Sequence, residues 1–236
     1  MNSYNVDSFG GSSVFTWTHK YLCQVLTSGL SPVVKNPLLV QALHKIQRDD
    51  FVPESCKNEA FQDIDVEIEK GEFLNKPTLI AEMLELLEIK ESGKYLDIGT
   101  GTAWLAALIG CAVGPRGVVY SMERIESIAR RAVGNIRKYP DLANVMIIFR
   151  DGSNGLPEYA PYDGIHVSVA MNEIPVILKS QLAIGGRMVA PTLQKDVRLV
   201  VRLSQNEYRE SVHPGYYFDP MKEGVVLNSQ VLSSGN

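Results

Sequence analysis

A glycine-rich turn between a short apolar strand and an apolar helix constrains this chain more than any other feature. Residues 95–104 read Tyr-Leu-Asp-Ile-Gly-Thr-Gly-Thr-Ala-Trp, and a helix-like run follows from Leu105 to Val113. A strand, a glycine turn and a helix in this order build a crevice at the carboxyl end of a parallel sheet, where nucleotide-like ligands bind. A side chain at Gly99 or Gly101 would block close approach of a ligand to the backbone. The sequence therefore predicts a ligand site at this turn.

The spacing of the glycines argues against a dinucleotide ligand. The dinucleotide fingerprint has glycine at the first, third and sixth positions of the turn, whereas the sixth position here is Trp104. The third glycine helps to bring a helix N-terminus to the pyrophosphate, and Trp cannot replace it. A ligand without a pyrophosphate is favoured, and S-adenosylmethionine fits. A nicotinamide oxidoreductase is disfavoured further because the chain has no Tyr-x-x-x-Lys pair.

Acidic residues follow two later predicted strands. The strand at 117–122 ends at Glu123, about 20 residues after the turn, where a carboxylate can accept hydrogen bonds from ribose hydroxyls. The alternative is a solvated glutamate that begins a helix, because acidic side chains are favoured there. The strand at 145–150 is closed by Asp151 and Gly152. Asp151 could reach the exocyclic amine of an adenine, or it could belong to an ordinary Asp-Gly turn.

Strands and helices alternate along most of the chain, which predicts an α/β fold with a mostly parallel sheet and helices on both faces. Further strands are predicted at 164–168, 187–191, 197–203 and 208–213, and helices at 15–26, 38–47, 78–87, 125–139 and 175–182, the last ended by Gly185 and Gly186.

Composition narrows the functional classes. The net charge of −4 argues against nucleic-acid binding through a basic face. The longest apolar run, 103–114, is too short to span a membrane, and the first residues lack a signal-peptide pattern. Three scattered cysteines predict neither a disulfide framework nor a metal site, which favours a cytoplasmic protein. His166 lies within a predicted strand and is expected to be a packed core histidine rather than a catalyst.

Seven phrases of the chain matter more by their common order and spacing than by any one of them. They are Arg48-Asp49-Asp50-Phe51-Val52-Pro53-Glu54, 75–81, 96–102, Glu123-Arg124-Ile125, Asp151-Gly152-Ser153, 160–163 and 185–187. Together they resemble the protein-L-isoaspartate O-methyltransferase family over residues 38–220. The resemblance implies a Rossmann-like methyltransferase fold with an N-terminal helical extension. Three parts are expected: an N-terminal helical extension with the acceptor segment (1–77), a methyltransferase domain (78–225) and a flexible tail (226–236).

The resemblance also implies S-adenosylmethionine as methyl donor, and the α-carboxylate of an L-isoaspartyl residue in a damaged protein or peptide as acceptor. The cofactor-binding residues implied are Asp97, Gly99, Thr100, Gly101, Thr102, Glu123, Arg124, Asp151 and Gly152.

The expected acceptor site departs from the family pattern. The family usually has Thr-Ile-Ser, then Gln or Ala, then Pro, with the Ser hydroxyl beside the reacting carboxylate. This chain reads Phe73-Leu74-Asn75-Lys76-Pro77. Asn75 is therefore expected at the catalytic position, where its amide can still donate hydrogen bonds to a carboxylate. Phe73, Leu74 and Pro77 are expected to bind substrate.

Three hypotheses remain open from the sequence. The first, which is favoured, is an active repair methyltransferase with an altered acceptor pocket. The second keeps carboxyl methylation but changes the peptide acceptor. The third is a non-catalytic homologue that binds S-adenosylmethionine or an isoaspartyl partner without turnover. Asn75 keeps the second and third hypotheses open.

Overall fold

A computed structural model of the chain describes residues 17–227. Predictions for residues 1–16 and 228–236 lie outside this range. The helices and strands, in chain order, are α1 (His19–Thr27), α2 (Pro37–Lys45), β1 (Val66–Glu69), β2 (Glu72–Leu74), α3 (Pro77–Leu87), β3 (Lys94–Ile98), α4 (Trp104–Val113), β4 (Val118–Glu123), α5 (Glu126–Ile136), β5 (Val145–Phe149), β6 (Tyr162–Val167), α6 (Val176–Ser180), β7 (Leu182–Thr192), β8 (Asp196–Arg202) and β9 (Tyr208–Pro214).

The main sheet has seven strands in the order β5-β4-β3-β6-β7-β8-β9. The strands from β5 to β7 run parallel, and β8 and β9 add an antiparallel edge. The chain winds outward from β3 in one direction and from β6 in the other, so the two strands flank the switch point where ligands bind in such sheets. The Rossmann-like, mostly parallel fold expected from the sequence is confirmed.

Residue alternation along β3 shows why the sheet is covered on both faces. Tyr95 packs into the apolar cluster on one face, whereas Leu96 and Ile98 pack into the cluster on the other. Successive side chains of a strand point to opposite faces, so a strand that is apolar at consecutive positions needs two covering layers. The faces of the central strands are therefore buried. The surface open to a ligand lies at the carboxyl ends of these strands.

The N-terminal extension consists of two helices and a separate hairpin. Asn36 caps α2 through its side chain, which accepts a hydrogen bond from the Leu38 amide, and Pro37 occupies the first turn. Helix α2 packs on α4, the helix that follows the glycine turn. Before α3, β1 and β2 form an antiparallel hairpin that the sequence analysis did not predict.

The prediction that Gly185 and Gly186 end a helix is wrong, because both lie within β7 and α6 has already ended at Ser180. The β6–β7 register shifts beside them, between Tyr162 and Gly164. A Cβ on Gly186 would come within 2.8 Å of the carbonyl oxygens of Ala183 and Tyr162. The paired glycines thus belong to a strand irregularity, where a side chain would not fit.

Within residues 17–227, no helix combines the length and the apolar character that crossing a bilayer requires.

Candidate active site

A cleft opens at the carboxyl ends of β3, β4, β5 and β6. It encloses about 1070 Å³ of empty space, counted out to its open mouth. The β1–β2 hairpin and the segment 219–222 form the rest of its wall. The predicted site residues that line it are Phe73, Leu74, Asn75, Gly99, Thr100, Gly101, Glu123, Arg124, Asp151 and Gly152.

The glycine turn forms a wall of bare backbone. Gly99 has φ +88°, a conformation that L side chains rarely adopt. A Cβ placed there would come within 3.2 Å of the Ser168 Cβ. The Gly99 and Thr100 amides both donate to the Met122 carbonyl at 3.0 Å, which ties the turn to β4. A ligand can therefore approach the main chain closely at this turn.

Glu123 lies at the end of β4 with its carboxylate on the cleft. One oxygen accepts from the Gly101 amide at 3.0 Å, and the other accepts from the amides of Arg124 at 2.8 Å and Ile125 at 3.0 Å. Burial raises the pKa of Glu123 to about 7, although these three hydrogen bonds oppose the increase. A carboxylate has about four lone-pair sites, so at least one remains for a ligand hydroxyl.

Asp151 closes the turn after β5. Its carboxylate accepts from the Ser153 amide at 2.8 Å and from the Gly224 amide at 2.6 Å. Partial burial raises the pKa of Asp151, but these hydrogen bonds outweigh that effect and hold it below its ordinary value. A Cβ on Gly152 would come within 2.6 Å of the Ile98 side chain, so this turn also needs its glycine.

The structure places Asp97 beneath the glycine turn rather than on the cleft. Its side chain is fully buried and accepts from the hydroxyls of Thr100 at 3.0 Å and Ser121 at 2.6 Å. Its other oxygen lies 3.0 Å from Nδ1 of His166. Asp97 was expected to bind the cofactor, but its carboxylate contacts the glycine turn through Thr100 and the neighbouring strands through Ser121 and His166.

Two further predicted residues also lie away from the cleft. Thr102 is fully buried, and its carbonyl accepts from the Asn135 side chain at 3.1 Å. Pro77 is buried at the start of α3. Trp104, which breaks the dinucleotide pattern, is 1% exposed and does not line the cleft. These three residues therefore belong to the packed interior and not to the lining of the cleft.

Arg48 holds the expected acceptor segment, residues 73–77. It is a buried cation to which the sequence analysis assigned no role. The guanidinium of Arg48 donates to the carbonyl oxygens of Ala60 at 2.6 Å and Asn75 at 3.0 Å. It also lies 5.2 Å from the centre of the Trp104 ring. Burial lowers the pKa of Arg48 to about 10, so the group remains charged at neutral pH. The backbone at Asn75 is fixed, while its side-chain amide makes no hydrogen bond within the described residues.

Sequence reasoning missed several lining residues. Ser168 follows β6, and residues 219–222 come from the far end of the chain. The Ala170 amide donates to the Asp219 carbonyl, and the Met221 amide donates back to Ala170, both at 2.8 Å. For Ser168, the usable signal was its place at the end of a strand beside β3. For residues 219–222 no local signal exists.

Within the described chain, no group of three His, Cys, Asp or Glu residues is arranged to hold a metal ion.

A family model described as protein-L-isoaspartate(D-aspartate) O-methyltransferase matches residues 20–217. Among curated relatives, a protein-L-isoaspartate O-methyltransferase of Methanospirillum hungatei is 37% identical over 175 residues, which cover 74% of this chain and 79% of that protein. A protein-L-isoaspartate O-methyltransferase 2 of Marinobacter nauticus is 34% identical over 204 residues, covering 84% of this chain and 89% of that protein.

Solved structures agree with the sequence relatives. A protein-L-isoaspartate O-methyltransferase structure has a TM-score of 0.76 at 26% identity, covering 88% of this chain and 67% of that one. A Plasmodium falciparum protein described as a candidate member of the same class, in complex with S-adenosyl-L-homocysteine, also has a TM-score of 0.76, at 19% identity, covering 86% of this chain and 98% of that one. The second likeness concerns the fold alone.

Proposed function

The chain belongs to the protein-L-isoaspartate(D-aspartate) O-methyltransferase family, and we propose that it methylates the α-carboxylate of L-isoaspartyl residues in damaged proteins or peptides. S-adenosylmethionine is the methyl donor. The observation that carries the proposal is that the glycine turn and the acceptor segment open into one cleft. A donor held at the turn and a carboxylate held at Asn75 would meet there.

The residues present fit S-adenosylmethionine better than a dinucleotide. Gly99 and Gly101 leave the main chain bare, and Glu123 has lone-pair capacity for a ribose hydroxyl. Asp151 and Gly152 close the wall where an adenine would lie beside β5. We assign these residues, with Thr100 and Arg124, to cofactor binding, and Asp97 and Thr102 to support of the turn.

The chemistry places light demands on the protein. When bound, the cofactor supplies a sulfonium methyl: an O–CH₃ bond forms as the S–CH₃ bond breaks, and the bonding pair stays on sulfur. A carboxylate is already ionised at neutral pH, so no general base is required. The protein's part is orientation and exclusion of water. Asn75 donates to the carboxylate, and the apolar side chains of Ile68, Leu74 and Leu105 line the same cleft.

The biological setting follows from this activity. We propose a role in protein repair in the cytoplasm, and the thiols of Cys23, Cys56 and Cys111, all unpaired, are compatible with a reducing compartment. We also keep the division into an N-terminal extension with acceptor segment (1–77), a methyltransferase domain (78–225) and a tail (226–236), of which Val226 still bonds to the main chain of Arg124 and Glu126. The separate hairpin that precedes α3 supports the first boundary.

Labelled methyl transfer to two peptides that differ only in aspartate or isoaspartate at one position tests the proposal. We expect base-labile incorporation into the isoaspartyl peptide alone. Equal labelling of both would favour a different carboxyl acceptor, the second candidate. No labelling, with S-adenosylmethionine bound in calorimetry, would favour the non-catalytic homologue.

Two residues support the other candidate functions. Asn75 replaces the family's Ser, and Phe73 is 48% exposed at the cleft. We expect Asn75→Ser to raise methylation of the isoaspartyl peptide by about fivefold, roughly the value of one neutral hydrogen bond. Phe73→Thr, which restores the other family residue, is the matched comparison. A lower rate in Asn75→Ser would mean that the amide is adapted to its acceptor.

A further inference from the structure

His166 lies on β6 at the sheet centre, between Asp97 beneath the glycine turn and Ser168 at the cleft. It is fully buried on β6, and its Nδ1 lies 3.0 Å from an Asp97 oxygen and 3.4 Å from the Ser168 hydroxyl. Its Nε2 is buried and has no hydrogen-bond partner in residues 17–227. The expectation of an inert core histidine therefore accounts for its burial but not for its contacts.

These contacts fix the direction of the hydrogen bonds. A carboxylate oxygen can only accept, so Nδ1 must carry the proton that lies between His166 and Asp97. A proton on Nε2 would bury an unpaired donor, which is costly. The geometry therefore assigns a proton to Nδ1. Since Nδ1 has no lone pair left, the Ser168 oxygen can accept from it but cannot donate to it.

The Ser168 hydroxyl proton is thereby free to point elsewhere. Ser168 lines the cleft, and its amide donates to the Ile98 carbonyl at 2.9 Å, which holds it beside β3 at the switch point. Its Cβ lies where only a glycine at position 99 leaves room. Asn75 lines the same cleft from the acceptor segment. A carboxylate in the cleft could accept from both residues.

We propose that Ser168 is a second hydrogen-bond donor to the acceptor carboxylate and that His166, oriented by Asp97, is the positioning residue that directs it. The proposal rests on the proposed function. A carboxylate loses its negative charge as it is methylated, so a donor to it strengthens binding of the substrate more than it lowers the barrier. The effect of Ser168 should therefore fall on the KM for the peptide.

Steady-state methylation of the isoaspartyl peptide tests the role of Ser168. We expect Ser168→Ala to raise the peptide KM by about 10- to 100-fold, the loss of one hydrogen bond to a charged group. The kcat should not fall, because the hydrogen bond stabilises the bound carboxylate more than the transition state. The calorimetric Kd for S-adenosylmethionine should stay within about twofold of wild type. Ser168→Thr keeps a hydroxyl and is expected to retain most of the wild-type affinity.

His166 is tested by a pair of variants. His166→Asn keeps a side-chain N–H near the position of Nδ1, whereas His166→Leu removes it. We expect the peptide KM to rise in His166→Leu and to be largely restored in His166→Asn, with thermal unfolding recorded for both. A KM for Ser168→Ala within twofold of wild type would overturn the proposal, as would a loss of cofactor affinity equal to the loss of peptide affinity.

Failure of the inference and failure of the proposed function are distinguishable. Calorimetric binding of the isoaspartyl peptide, with S-adenosylhomocysteine present, reports on Ser168 without turnover. If the wild-type protein binds the peptide but does not methylate it, the proposed activity is wrong. The role of Ser168 can then still be tested by comparing the peptide affinity of Ser168→Ala with that of wild type. A wild-type protein that neither binds nor methylates the peptide would overturn both.

Discussion

The two walls of the cleft are built in opposite ways. The donor wall, to which we assign the methyl donor, is a run of neighbouring residues, the turn 99–101, tied by main-chain hydrogen bonds to the adjacent strand β4. The acceptor wall is the β1–β2 hairpin and the residues after it, which belong to a separate two-stranded sheet. Side chains from distant parts of the chain hold that hairpin in place. The difference explains why a short motif predicts one wall and not the other.

Side chains from distant parts of the chain attach the acceptor wall to the rest of the fold. Arg48 reaches the carbonyl of Asn75, and Ser127 on α5 donates to Glu69 at 2.7 Å. Arg131, also on α5, donates to the Ile68 carbonyl and pairs with Glu69. Each attachment joins residues well separated in sequence, so the geometry of the acceptor wall depends on the whole fold. The comparison can be tested by loosening one wall at a time.

The largest effect is expected from Arg48→Met, which attacks the acceptor wall. The change removes a fully buried cation and leaves several carbonyl oxygens, including those of Ala60 and Asn75, without a donor. We expect the free energy of unfolding to fall by about 3–5 kcal/mol, measured by urea denaturation. Arg131→Met, a partly exposed attachment of the same wall, should cost far less. Equal costs would mean that Arg48 is not the main support.

Asp97→Asn attacks the donor wall from behind. The amide would present N–H groups to the hydroxyls of Thr100 and Ser121 or to the N–H of His166, all of which now donate to the carboxylate. We expect a loss of about 2–3 kcal/mol of unfolding free energy, together with weaker S-adenosylmethionine binding in calorimetry. Unchanged cofactor affinity in a folded variant would show that the turn does not depend on Asp97.

Glu123→Gln tests the donor wall from within the cleft. Loss of a charged acceptor at a ligand hydroxyl costs about 1.5–3 kcal/mol, so the Kd for S-adenosylmethionine should rise about 10- to 100-fold. Glu72→Gln makes the same chemical change on the acceptor hairpin, where Glu72 also lines the cleft. Its cofactor Kd should stay near wild type. Similar effects in both variants would erase the distinction between the walls.

A smaller effect is expected from pH, because burial raises the pKa of Glu123 to about 7. If the ionised carboxylate binds the ribose, cofactor affinity should fall about tenfold from pH 8 to pH 6. The free energy of unfolding of the cofactor-free protein should change with pH in the opposite direction. A raised pKa in the folded state contributes stability at low pH that is lost as the pH rises through about 7. Calorimetry at several pH values measures the first effect, and a flat profile would contradict it.

The donor side of the site was predictable because it is local. A strand, a glycine turn and an acidic residue at the next strand end fix the positions of Gly99, Gly101 and Glu123, and all three line the cleft. Asp97 belongs to the same motif, but its side chain points away from the cleft because alternate residues of a strand face opposite ways. Contiguity in sequence predicted the turn but not which side chains would face a ligand.

The remainder required three-dimensional information. Ser168 reaches the cleft only because β6 lies beside β3, an adjacency of strands that are far apart in the chain. Gly185 and Gly186 look like a helix end in sequence, yet the bulge that requires them depends on the pairing of β7 with β6. Residues 219–222 depend on contacts with Ala170 that no periodicity reveals.

The segment after β9 has a practical consequence. Residues 219–222 line the cleft, and further along the Val226 amide bonds to the Arg124 carbonyl, while Gly224 bonds to Asp151. The family match ends at residue 217, before all of these contacts. A recombinant fragment trimmed to the matched boundary would keep all seven strands of the main sheet and lack the side of its binding site next to Asp151. A recombinant form of this protein should therefore retain residues 218–227, and an affinity tag is better placed at the amino terminus.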